Sequence, residues 1–244
     1  MNIEGSIALV TGANRGLGKA YVEALLAAGA AKVYAGARDP STINDPRLTP
    51  VTLDVTSPDD VAAAARACPD ITILINNAGI MLSSPMLGEG SETALRREME
   101  VNVFGMLRMI EAFAPVLARN GGGAITNMLS VVSWFTVPIN ATYCASKHAA
   151  LAVSDAARIQ LKAQGTHVVG VYAGYIETDM AAGIDRPKIS PHQVAERTLD
   201  GIRMRQDHVL ADQRAHDTWQ LVRSDPAAME ASMQQMWDSV QAQS

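Results

Sequence analysis

Tyr143 and Lys147 stand four residues apart in Tyr143-Cys144-Ala145-Ser146-Lys147, a spacing that puts both side chains on one face of a helix. A free phenol, with a pKa of about 10, is too high for acid–base work near neutrality. An ammonium about 5 Å away, at an effective dielectric of about 20, favours the phenolate by roughly 3 kcal/mol, or about two pKa units. The pair therefore has the parts of a general acid–base. A surface tyrosine beside a snorkelling lysine has the same spacing, so the surroundings decide. Ser130 follows an apolar strand and precedes a loop carrying Trp134, Phe135 and Val137, so its hydroxyl can face the same carbonyl oxygen as Tyr143. Asn102, between Val101 and Val103, reads either as a satisfied core amide or as the holder of a water linked to Lys147.

A second chemical feature lies near the N-terminus. The turn Thr11-Gly12-Ala13-Asn14-Arg15-Gly16-Leu17-Gly18 follows the apolar run 7–10 and precedes the helical pattern Tyr21, Val22, Leu25, Leu26. Strand, glycine turn and helix together are the context expected of a phosphate site, although glycine turns also cap ordinary strands. Glycines let the backbone approach a pyrophosphate, and the helix N-terminus supplies free N–H donors and partial positive charge.

Holding these groups takes alternating strands and helices. Strands are expected at 7–10, 32–36, 51–53, 71–75, 124–128, 168–172 and 208–210. Helices are expected from the glycine turn to about residue 28, after the Ser57-Pro58-Asp59-Asp60 start, over 91–119, over 141–163 and after the Ser190-to-Gln193 capping box. The segment 40–50, broken by prolines, is expected to be an irregular connection. This alternation predicts an α/β fold with a mostly parallel sheet of about seven strands and helices on both faces. No repeat or composition break divides the chain, so one domain is expected over 1–244, with 213–244 a C-terminal helical extension.

The bulk properties narrow the function. The chain has 244 residues, 48% of them hydrophobic, enough for one substantial core. A net charge of −5 argues against a nucleic-acid partner or an anionic membrane surface. No apolar run reads as a bilayer span, and the N-terminus has no basic-then-apolar signal pattern, so a cytoplasmic protein is expected. Cys68 and Cys144 form neither a disulfide framework nor a metal-ligand spacing, the five histidines are scattered, and no metal is expected.

Taken in order, the glycine turn, Asn76-Asn77-Ala78-Gly79, Asn102, Ser130 and Tyr143-Cys144-Ala145-Ser146-Lys147 resemble the short-chain dehydrogenase/reductase family over residues 5–212. The resemblance implies a Rossmann-type doubly wound fold and a four-residue active site of Asn102, Ser130, Tyr143 and Lys147. It implies that Ser130 and Tyr143 hold the substrate oxygen and that Tyr143 exchanges the proton. Lys147 would lower the Tyr143 pKa and bind the nicotinamide ribose, and Asn102 would anchor a relay water. Asp54 and Val55 resemble the adenine-contacting pair, and Asn77, Ala78 and Gly79 the motif that lines the cofactor cleft. Gly174, Ile176 and Thr178 are expected at the nicotinamide end by the same analogy. The chain departs from the family's pattern with Leu129 before the serine and Ala173-Gly174 after the sixth strand.

A site for NAD places an acid about twenty residues after the glycines. Here position 37 is Ala and position 38 is Arg, and Arg15 sits inside the turn. Two guanidiniums flanking a small residue make a pocket for a 2′-phosphate, which predicts NADP(H). The alternative is that Arg38 and Asp39 pair in solvent and either cofactor is taken. The expected reaction interconverts a ketone or aldehyde and the corresponding alcohol by hydride transfer. A steroid, sugar or acyl thioester as main substrate is the alternative, followed by a non-catalytic NADP sensor.

Met81, Val131, Trp134, Phe135, Val137, Tyr175 and Met180 are candidates for a pocket that takes a small hydrophobic carbonyl or alcohol, although Met and Val serve equally as core. The short connection from Met180 to Ser190 predicts an open pocket tolerant of bulky ketones. The 141–163 helix is apolar over much of its circumference, so one side is expected on the sheet and the other on a second subunit. Met99, Val103, Met106, Met109 and Ile110 fit that second surface, and the family resemblance implies a homodimer or homotetramer. The stripe Met229, Met233, Met236, Trp237 and Val240 is expected to pack against the chain's own core or a neighbour, with an active-site lid as the alternative.

Overall fold

The computed structural model describes residues 1–242, so positions 243 and 244 of the expected extension lie outside the described residues. The strands are β1 (Ile7–Thr11), β2 (Lys32–Ala37), β3 (Leu48–Thr52), β4 (Ile73–Asn76), β5 (Gly123–Met128), β6 (Thr166–Tyr172) and β7 (His208–Leu210). They form one sheet in the order β3-β2-β1-β4-β5-β6-β7, with every neighbouring pair parallel. The chain changes winding direction between β1 and β4, and the crevice beyond the carboxyl ends of these strands is where such sheets bind ligands. This is the Rossmann-type α/β architecture that the sequence predicts.

Both faces of the sheet are covered, as its nearly continuous apolar strands require. Leu9, Leu74, Ile125 and Val168 point to one side, into a core shared with α2 (Pro58–Ala67), α4 (Met106–Arg119) and α5 (Ala141–Leu161). Ala8, Val10, Ile73, Ile75 and Val169 point to the other, against α1 (Gly16–Ala27) and α6 (Pro191–Met204). The helix starts follow the capping signals. The Ser57 hydroxyl accepts the Asp60 N–H, and Ser190 and Gln193 close a reciprocal capping box. At the C-terminus, α7 (Gln213–Ser224) and α8 (Pro226–Gln241) form a hairpin whose Met229 and Met233 pack against the chain's own core.

Four expectations are corrected. Strand β3 starts at Leu48 and contains Pro50, opposite Ala35, which is tolerable because β3 is an edge strand. Strand β4 begins at Ile73, two residues later than the apolar run suggests. The 91–119 helix is interrupted: α3 (Ser91–Met99) passes through a π-helical turn, Glu100–Gly105, before α4. Gly105 lies so close to Val55 that any Cβ would press into its side chain. That same 91–119 run is long and apolar enough to cross a bilayer, contrary to the sequence reading. Its apolarity is spent on the core instead, where Met109, Phe113 and Leu117 have no exposed surface.

The expected subunit surface is also redrawn. Val103, Met106, Met109 and Ile110 are buried within the chain itself, and Met99 packs partly against the same core. The large apolar side chains left exposed on these helices are Phe104 and Ile159.

Candidate active site

Three elements bring the catalytic candidates together. Ser130 sits immediately beyond β5 and caps a short 3-10 turn, Val131–Ser133, with its hydroxyl accepting the Val132 N–H at 3.4 Å. Tyr143 and Lys147 rise from successive turns of α5, and the Lys147 Nζ lies 5.6 Å from the centre of the Tyr143 ring. Lys147 is buried, and its ammonium donates to the Met128 carbonyl at the end of β5, at 2.9 Å.

Burial governs both titrating groups. It pulls the Lys147 ammonium down to about 8, because the charged form loses its water. It also pushes the Tyr143 phenol above its usual range, with Cys144 and the Glu98 carboxylate acting in the same direction and the Ser130 hydroxyl opposing them. The expected depression by Lys147 therefore does not prevail in the chain alone. Desolvation of the phenol outweighs a lysine whose own charge is weakened and turned toward a carbonyl.

Asn102 lies in the π-helical turn, and turns of this kind recur at functional sites. Its side chain donates to the Ile80 carbonyl and to Ser146 Oγ, both at 2.9 Å, and accepts the Ile80 N–H at 2.9 Å. The amide is thus spent on protein partners, which is the satisfied-core alternative, and a water link to Lys147 would have to run through the Asn102 backbone. Gly79 lies between the two. A Cβ there would stand 3.1 Å from Asn102 Oδ1 and 3.9 Å from Lys147 Nζ.

The glycine turn fits a dinucleotide pyrophosphate. Gly12 and Gly16 take positive φ values of 64° and 53°, and a Cβ on Gly18 would collide with the Gly12 carbonyl. Helix α1 starts at Gly16 with no side-chain cap and no acid in its first turn, leaving its N–H groups open to an anion. Leu17 turns into the core, so its contribution is backbone only, and Asn14 remains half-buried beside it. Asn77 and Ala78 donate their N–H groups to Thr11 Oγ1, at 3.0 and 2.9 Å, which joins the β4 turn to the glycine turn. Asp54 is partly buried, which raises it, but the Thr56 hydroxyl and N–H and the Arg38 charge win and hold it below the usual carboxylate range. Its neighbour Val55 is buried against Gly105.

The loop after β6 folds over this turn. Thr178 packs on Gly16, and Asp179 pairs with Arg15 at 3.2 Å. Ile176 bridges to Ile189. Gly174 donates its N–H to Asp212 and has Arg214 against its open face, so it serves the approach of α7.

The pocket candidates divide. Val131 and Phe135 join the main core, while Trp134 stacks on Tyr172 at 4.3 Å and meets Trp219 edge-on at 4.7 Å. Met81 and Val137 are half-buried; Met81 Sδ accepts from Asn140 and Val137 donates its N–H to Cys144. Tyr175 lies under the Arg214 guanidinium, and Met180 is exposed. Trp134, Phe135 and Thr136 also line a cavity of about 260 Å³ closed by Val222, Pro226, Met229, Glu230 and Met233. Met229 and Met233 belong to the stripe for which the sequence offered a lid as the alternative to core packing, whereas Val222, Pro226 and Glu230 were not anticipated. Sequence reasoning also missed Asp179, Ser146 and Glu98, the last of which reads in sequence as one more charge on a solvated face.

A family model described as short chain dehydrogenase matches residues 6–188. Among curated proteins, a 3-oxoacyl-[acyl-carrier-protein] reductase of Vibrio cholerae is 33% identical over 195 residues, covering 76% of this chain and 79% of its own. A short chain dehydrogenase from Burkholderia cenocepacia, solved in complex with NADP, is 42% identical and superposes with a TM-score of 0.92 over 96% of this chain and 99% of its own. A 3-ketoacyl-(acyl-carrier-protein) reductase from Brucella melitensis, solved with NADH, is 26% identical with a TM-score of 0.74, covering 82% and 91%. The chain belongs to the short chain dehydrogenase family.

Proposed function

We propose that this protein is an NADP(H)-dependent oxidoreductase that interconverts a ketone or aldehyde and its alcohol, with Tyr143 as general acid–base. The observation that carries the reading is the meeting of Tyr143, Ser130 and Lys147 at the carboxyl ends of the central strands, next to an uncapped, acid-free helix start. Bound nicotinamide supplies or accepts the hydride. Tyr143 gives its proton to the carbonyl oxygen as negative charge develops there, and Ser130 offers a second donor to the same atom. Burial keeps the phenol protonated in the resting site, the form that reduction requires. Lys147 then faces the phenolate that forms.

The choice of NADP(H) rests on Arg15 and Arg38. Asp39 spends its carboxylate on the Ser41 N–H and hydroxyl, at 3.0 and 2.6 Å, so the Arg38–Asp39 pair of the alternative reading does not form. The NADP complex of the 42% identical relative supports the same choice. Half-buried Met81 and Val137, with the methionine-lined cavity beside Trp134, support an uncharged hydrophobic carbonyl. The two reductases of carrier-bound 3-oxoacyl groups among the relatives favour a second reading, a thioester substrate, against which a net charge of −5 offers an acidic carrier little attraction. A homodimer or homotetramer completes the proposal, supported by the exposed Phe104 and Ile159.

Oxidation of NADPH with a ketone panel tests the activity. Tyr143→Phe is expected to lower kcat by about 10²-fold or more. Arg38→Asp is expected to shift the NADPH-to-NADH preference by about tenfold or more, since charged hydrogen bonds contribute ~1.5–3 kcal/mol each. Turnover that survives Tyr143→Phe, or an unmoved cofactor ratio, would overturn the corresponding claim.

A further inference from the structure

The loop that joins Ser130 to Tyr143 is also the inner wall of the cavity under the terminal hairpin. Trp134 and Phe135 follow directly on the Val131–Ser133 turn that Ser130 caps. Val137 donates its N–H at 3.3 Å to the sulfur of Cys144, the neighbour of Tyr143. The turn Pro138–Asn140, which leads into α5, packs against α8. One end of the wall is therefore fastened beside Ser130 and the other beside Tyr143.

Trp134 is held from behind. It stacks on Tyr172 at the end of β6 and meets Trp219 of α7, whose own ring lies under the Arg223 guanidinium. Opposite it stand Val222 of α7 and Met229 and Met233 of α8, the two methionines four residues apart and so on one helix face. An apolar cavity of about 150 Å³ is enough to hold benzene. The volume here is about 260 Å³, which admits a ring with a few further carbons. Thioether sulfur favours contact with aromatic rings, and unbranched methionine adapts to their shape. Among the described lining residues the charged one is Glu230, a carboxylate and itself exposed, which sets the cavity against anionic guests. A hydroxyl-rich guest would leave its polar groups unpaired on such walls.

Resting on the carbonyl-reductase reading, we propose that this cavity seats the aryl group of an aryl ketone or its alcohol while the carbonyl meets Ser130 and Tyr143. Met229 and Met233 are then specificity-determining residues that set the size of the ring accepted.

Acetophenone and 2-butanone carry phenyl or ethyl on the same methyl carbonyl, and their reduction by the full chain with NADPH reads the cavity. Met233→Trp fills it and is expected to lower the kcat/KM ratio of acetophenone to 2-butanone by about tenfold or more, chiefly through KM. Met233→Ala enlarges it and is expected to raise the ratio of 4-tert-butylacetophenone to acetophenone by about fivefold. A general loss of stability does not move the two ratios in these opposite senses, and the alanine variant carries the test should the tryptophan variant fail to fold. Ratios equal to the wild type's overturn the proposal. Trifluoromethylbenzene, which has no carbonyl, reports on the cavity without turnover: its fluorine resonance should broaden with the wild-type chain and NADP⁺ and stay sharp with Met233→Trp. That pattern in a chain inactive on every carbonyl refutes the reductase reading and upholds the aryl site, whereas a resonance alike with both proteins refutes the aryl site.

Discussion

A phenol becomes a useful acid only when its surroundings decide which form it holds between turnovers. Here the resting site holds the protonated form, chiefly by taking the Tyr143 phenol out of water, and directs Lys147 to a carbonyl. Asn102 matters to that arrangement as a clamp. Asn102→Ala strips the Ile80 carbonyl and N–H and the Ser146 hydroxyl of their partners, and is expected to cost about 2–3 kcal/mol in urea unfolding. An unchanged midpoint and slope would show that the clamp carries no stability. The Tyr143–Lys147 pairing was legible because a four-residue step shares one helix face, while the four-residue set with Ser130 and Asn102 came from the family resemblance. Glu98 was not, since in Arg96-Arg97-Glu98-Met99-Glu100 it reads as one more charge on a solvated face. Only the packing of α3 shows that it points inward.

At the level of elements, the loop after β6 is tied to the glycine turn by Arg15 and Asp179, both of them mostly exposed. If Arg15 takes the 2′-phosphate as proposed, Asp179 competes with it for the same guanidinium. Asp179→Asn is therefore expected to tighten NADPH binding by up to about fivefold, within the ~1 kcal/mol of an exposed ion pair, and to leave NADH unchanged by calorimetry. Equal tightening of both cofactors would place the effect elsewhere. The strands, the caps at Ser57 and Ser190 and the paired helices followed from apolar runs and capping signals. The π-helical turn did not, because residues 100–105 keep an ordinary helical pattern and the cause is a partner far along the chain, Val55 against Gly105. The start of β3 escaped for a related reason: Pro50 argues against a strand until the sheet order shows it to be an edge.

For the molecule as a whole, the buried titrating groups predict an alkaline stability profile that is level and then falls. Lys147 falls from 10.5 to about 8 on folding, so the unfolded chain holds that proton more tightly and stability rises as pH climbs through this window. Cys68 and Cys144 move the other way, from 9.0 to about 12 and about 11, and Tyr21, Tyr143 and Tyr172 are raised above 10.0. For these five the unfolded chain loses its protons first, so stability falls once pH passes 9 and then 10. From pH 8 to 9 the Lys147 gain of about 1 kcal/mol is nearly cancelled by the losses at Cys68 and Cys144, so unfolding in urea should show a level stretch there and a steep loss beyond 10. Lys147→Met should turn the level stretch into a decline of about 1 kcal/mol, and a wild type that already weakens by that much from pH 8 to 9 would contradict the assignment.

The match to the family ends at residue 188, yet the cavity beside Trp134 and Phe135 takes its far wall from Val222, Pro226, Met229 and Met233. Proton-handling groups and the rim of that hollow are thus encoded in separate stretches of the chain. A chimera carrying another protein's terminal hairpin is therefore expected to reshape that hollow and leave the residues around Tyr143 as they are.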